Sequence, residues 1–153
     1  MDWTELRRFV DVVAAAFPDA PEPSSFEDGP GSYFLWRRDD REASVGLCEE
    51  GYYCALDGCT EWAPSAESAV TALKAVFEDR IVAVRAYDNR MCVHAGMAYA
   101  SDPGAELHLL GADVRHVTVR SWSRALDSGE EPVFDGAEPE PFEDIPEWAR
   151  DDT

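Results

Sequence analysis

Apolar residues recur at helical spacing from the start of the chain: Trp3, Leu6, Val10, Val13, Ala14 and Phe17 share one face of a helix that Pro18 ends. Asp2, followed three residues later by Glu5, resembles a capping box. The next stretch, DAPEPSSFEDGPGS, is dense in Pro, Gly and Ser and reads as a connection. From Ser32 to Asp57 the period falls to two. SYFLWRR, ASVGLC and YYCALD are aromatic or β-branched runs, with Glu49, Glu50 and Gly51 as a hairpin turn, and predict three antiparallel strands. After DGCTEWAP, read as a loop, Ser65 caps a second helix with Ala69, Val70, Leu73, Val76 and Phe77 on its apolar face.

The remaining runs, RIVAVRAY, MCVHAGM, ELHLL and VRHVTVRSW, are separated by turn-forming DNR, SDPG and GAD and predict about four more strands. The expected fold is α+β: one antiparallel sheet of about seven strands in the order α-βββ-α-ββββ, with both helices on one face. The expected domain spans residues 1–126, and an acidic C-terminal tail occupies 127–153. At the level of element order this is similar to the small acidic chaperones of type III secretion and the related YbjN-like proteins. It departs from them by ending in strands and an acidic tail instead of a helix. The resemblance implies an escort or regulatory role.

Charge changes this picture more than composition does. The 153 residues hold 32 acids against 13 bases, a net charge of −19. Such a surface repels phosphates and anionic lipid, which argues against nucleic-acid and membrane partners and for a basic protein. Eleven acids and one arginine lie from Asp127 onward, so about half the net charge sits in under a fifth of the length. Phe134, Phe142, Ile145 and Trp148 interrupt those acids, giving the tail anchors that a purely solubilising segment does not use. They dock on the protein's own sheet or on a partner. The expected partner-binding residues are Asp135, Glu138, Glu140, Phe142, Glu143, Asp144 and Trp148. Tyr33, Phe34, Trp36, Tyr52 and Tyr53 alternate between sheet faces, so large aromatics lie on the face away from the helices as well.

Catalytic chemistry finds little support. GxSxG, HExxH, GxxxxGK[ST] and GxGxxG motifs do not occur. His94, His108 and His116 each sit within an expected strand, where a hydrogen-bonded or solvent-facing histidine is the common outcome. Cys54, Cys59, Cys92 and His94 are the only set resembling zinc ligands, and they lack paired-cysteine spacing; Cys48 and Cys54 suit small buried apolar sites equally well. No catalytic residue, metal or cofactor is expected. Asp2, Glu5 and Asp11 interrupt any signal-like apolar run, which gives a cytoplasmic expectation with reduced thiols. The expected function is a non-catalytic, acidic protein-binding domain, an inhibitor or immunity-type protein that neutralises a basic partner such as a nuclease toxin. The alternatives are an escort chaperone, or an enzyme with a His/carboxylate site. The inhibitor is expected as a monomer and the escort as a homodimer.

Overall fold

A computed structural model describes residues 2–89, 91–107, 110 and 113–130. The order is α1 (Trp3–Ala16), β1 (Ser24–Ser25), β2 (Gly31–Arg38), β3 (Arg41–Cys48), β4 (Gly51–Leu56), β5 (Cys59–Ala63), α2 (Ala66–Phe77), β6 (Ile81–Tyr87), β7 (Cys92–Tyr99) and β8 (His116–Arg120). The α+β class and the antiparallel pairing are as expected. The strands form two sheets where one was expected: a five-stranded meander β1-β2-β3-β4-β5 and a three-stranded sheet β7-β6-β8.

Local chemistry explains the elements. Asp2 caps α1 by accepting from Thr4 N at 3.0 Å, while Glu5 turns away and accepts from the Tyr52 hydroxyl at 3.0 Å, so no reciprocal capping box closes. Ser65 caps α2 through Ser68 N at 3.1 Å. The hairpins turn in two residues each: Asp39–Asp40, Glu49–Glu50 and Asp57–Gly58 join strands in register. Asp57 and Gly58 both adopt positive φ, 50° and 81°, the primed-turn geometry that matches strand twist. That turn makes CTEWA a strand, which the loop reading of DGCTEWAP missed. ELHLL was expected as a strand; instead Glu106 and Leu107 close a turn, with Leu107 N donating to Gly104 O, and His108 and Leu109 lie outside the described residues.

The core lies between the helices and the inner face of the meander. Phe9 and Val13 of α1, Phe34 of β2, Val45 of β3, Cys54 and Leu56 of β4 and Leu73 and Val76 of α2 are buried together. Phe9, absent from the expected stripe, is the central α1 residue, whereas Trp3 is 78% exposed. Leu6, Val10, Val13 and Phe17 of the expected stripe pack as read, with Phe9 added and Trp3 left out of the core. Ala83 of β6 and Met97 of β7 extend this core, and β7 lies against β5, so the small sheet continues the layer at the β5 edge. The opposite face of the small sheet carries Val82, Val84 and Val119, packed against Leu107.

One polar knot closes the far end. Arg41, only 6% exposed, grips the Asp127 carboxylate with both terminal nitrogens and donates to Ser121 O at 2.5 Å. Asp127 also accepts from Ser121 N at 2.9 Å, and Ser128 pairs with Val119 beside β8. Asp127, the first acid of the expected tail, is therefore a packing residue of the globular unit. The hydrogen bond from Arg41 holds its carboxyl below the usual range. A lowered folded-state value gives stability that is present above the unfolded-chain value and lost as pH falls through the folded one. Asp127→Ala strands the buried guanidinium and is expected to cost about 2 kcal/mol, at the low side for a buried pair because Asp127 keeps some solvent contact. Urea unfolding at neutral pH measures that loss, and Asp127→Asn should flatten the acid side of the stability profile.

Candidate functional site

Strand alternation sends Phe34, Trp36 and Tyr52 into the core, where Phe9 meets Phe34 and Tyr52 at 6.0 and 6.1 Å, and Trp36 meets Phe77 at 5.5 Å. The same alternation places Tyr33, Gly46, Tyr53 and Trp62 on the other face. Register aligns them in one row: Tyr33 opposite Gly46, Gly46 opposite Tyr53, Tyr53 opposite Trp62. Gly46 is small for a reason visible here. A Cβ at Gly46 would fall 2.4 Å from the Tyr53 ring, so the ring lies across the β3 backbone.

Tyr53 and Trp62 meet edge-on at 5.9 Å. Phe26, from the connection after α1, packs on Tyr33 at 5.0 Å and on Tyr53 at 6.4 Å. The long connection thus covers one end of the face, and the β5 end stays open with Trp62 56% exposed. Arg37 and Glu42, paired at 3.0 Å, bound the row at one end of the strands. Glu50, which accepts from the Cys48 thiol at 3.1 Å, stands at the other. Burial, together with the nearby Cys48 and Tyr33, pushes the Tyr53 hydroxyl up to about 12. At neutral pH this is a neutral, half-desolvated aromatic strip with charged ends. Stacking and apolar contact are its chemistry.

No protein-family model, curated protein or solved structure matches this chain. The arrangement of its own residues is what bears on function.

Asp135, Glu138, Glu140, Phe142, Glu143, Asp144 and Trp148, the expected partner-binding residues, all lie outside the described residues, as do Phe134 and Ile145. The structure brings together instead the aromatics of the outer face, and it adds two that the sequence reading left out, Phe26 and Trp62. Trp62 sat in the segment read as a loop; Asp57–Gly58 followed by alternating Cys-Thr-Glu-Trp-Ala was the signal for its strand.

The four residues weighed as zinc ligands, Cys54, Cys59, Cys92 and His94, form no metal-binding group. Cys54 and Cys59 are core residues on β4 and β5, and burial pushes the Cys54 thiol up to about 12. Cys48, half-buried at a hairpin end, is less enclosed than expected. Cys92 is exposed and pairs with Tyr87, while His94 pairs with Ala86 across a register shift, which breaks the simple alternation that would have put the two side chains on one face. Among the described residues no three His, Cys, Asp or Glu side chains form a metal-binding group. His116 pairs with Tyr87, so it and His94 project from opposite faces of the small sheet.

The row makes a direct prediction. Gly46→Val forces the Tyr53 ring off the β3 backbone and into water, so its ionisation should fall from about 12 towards the ordinary 10 of a tyrosine. Ultraviolet titration of the variant against the parent, with Tyr53→Phe to assign the step, measures the change.

Proposed function

We propose that this chain is a non-catalytic, acidic protein-binding domain that holds a basic partner, in the manner of an inhibitor or immunity-type protein facing a cationic toxin such as a nuclease. The observation that carries the reading is the open β5 end of the aromatic row, with Trp62 largely exposed and Tyr53 beside it. Tyr and Trp dominate interface hot spots because they desolvate large areas at little conformational cost. A meander with three tight turns presents them on a rigid support.

Charge supports the same reading. Many arginines are already engaged with the protein's own carboxylates: Arg8 with Glu67, Arg37 with Glu42, Arg80 with Glu78, Arg85 with Asp57, and Arg115 with Asp113. The excess of 32 acids over 13 bases is therefore expressed as net negative potential that steers a basic protein. In this reading the acidic segment containing Phe142 and Trp148 adds to the steering, and the sheet aromatics set the lifetime of the complex.

The test uses the full chain and the basic partner recovered with it from source lysate and identified by mass spectrometry. Trp62→Ala is expected to raise the dissociation rate at least tenfold, a loss of ~1.4 kcal/mol, with little change in association rate. Raising salt should slow association and leave dissociation nearly unchanged. Surface plasmon resonance at several ionic strengths separates the two, and a Trp62→Ala variant that binds as the parent does would sink the proposal. Replacing Phe142 and Trp148 together by Ala asks in the same assay whether the acidic segment anchors or only steers. Light scattering on the free protein should show a monomer, whereas a homodimer would favour the escort alternative.

A further inference from the structure

Away from the aromatic row, a cleft of about 360 Å³ opens where the β5 edge, α2 and the end of β7 meet the turn after β7. Its floor is aliphatic, formed by Ala72, Ile81 and Met97, and Met97 is only 9% exposed. Glu61 of β5 and Glu106 of the turn both line it, as does Asp102.

Glu61 occupies this place by register. It pairs with Cys54, a core residue, and so points to the core side of the meander, where an edge position lets its carboxylate reach the cleft. Burial and the neighbouring Glu106 both push the Glu61 carboxyl above its ordinary value. Glu42, Glu67, Glu78, Asp57, Asp113 and Asp127 each pair with an arginine, whereas among the described residues Glu61, Glu106 and Asp102 form no ion pair. Two like charges lining one cleft with an apolar floor repel each other, and a proton or a cation between them relieves that repulsion. The carboxylates are not grouped as metal ligands. The cation that fits is organic, with an apolar stem.

We propose that this cleft is a binding site for a small free aliphatic amine, its alkyl stem on Ala72, Ile81 and Met97 and its ammonium between Glu61 and Glu106. The volume lies within the range of small-ligand sites and takes the whole molecule. The ammonium supplies the charge that the two carboxylates lack, and its hydrogen bonds to them are charge-assisted. The site is independent of the aromatic row and of any protein partner.

The experiment titrates the full chain with n-hexylamine and, separately, with 1-hexanol, following the Met97 and Ala72 methyl resonances at neutral pH and moderate salt. Hexylamine should shift them saturably, hexanol should be far weaker, and Glu61→Gln and Glu106→Gln should each raise the apparent Kd about tenfold. Glu49→Gln, on the β3–β4 turn, should leave it unchanged. Thermal melts of the two cleft variants should match or exceed the parent, since each removes a like-charge repulsion, so lost binding is not lost folding. Equal responses to hexylamine and hexanol, or unaltered binding in Glu61→Gln, would overturn the proposal. A tetralysine peptide that shifts the same methyls where hexylamine does not would overturn the free-amine assignment.

Discussion

Arg41 is the charge around which the end of the chain is arranged. It begins β3 and is almost fully buried, yet its guanidinium reaches the backbone of Ser121 and the carboxylate of Asp127, 80 and 86 residues away. A buried guanidinium is tolerated only when its donors are satisfied and its charge is matched. The chain supplies both within one turn after β8. Ser121 is fully buried beneath that turn, Leu126 N donates to its hydroxyl at 3.0 Å, and Trp122 packs on Phe77 at 5.1 Å. This ion pair ties the β2–β3 hairpin to the turn after β8, whose Trp122 packs on α2 through Phe77.

The meander divides its work between its faces. The inner face is closed by α1 and α2 over Phe34, Val45, Cys54 and Leu56. Among the described residues no helix lies over the outer face, which is dressed with Tyr33, Tyr53 and Trp62, with Gly46 leaving room for the Tyr53 ring. An antiparallel sheet with one solvated face ordinarily alternates apolar with polar residues. Here one row of outward positions is aromatic, and among the described residues the connection carrying Phe26 packs on it. That departure from ordinary patterning is the reason for reading the face as a contact surface, and the steering charge complements it.

Several features were legible because they rest on contacts close in sequence. Ser65 and Asp2 as caps, Pro18 as a stop, and period-two runs for β2, β3, β4, β6 and β7 all follow from local backbone chemistry. The misses have local reasons too. β5 was hidden because Asp57–Gly58 was taken as a loop instead of a primed turn, and with it went Trp62 and Glu61, the residues of both sites argued above. In α1 the apolar run continues past the part of the helix that meets the sheet, so Trp3 kept the right period and still found no core to enter, while Phe9 took the central place.

By itself, the sequence determined most of the elements, the caps, the strong negative balance and the two-faced aromatic pattern, because each depends on side-chain type and short-range spacing. Only the tertiary structure decided that the strands part into two sheets, that Asp127 belongs to the packed unit, and that Tyr33, Gly46, Tyr53 and Trp62 stand in one row. It also decided that Glu61 and Glu106 line one cleft with an aliphatic floor. These are pairings between residues far apart in the chain. Strand register and the meeting of sheet edges set them, and both are outcomes of packing the whole chain at once.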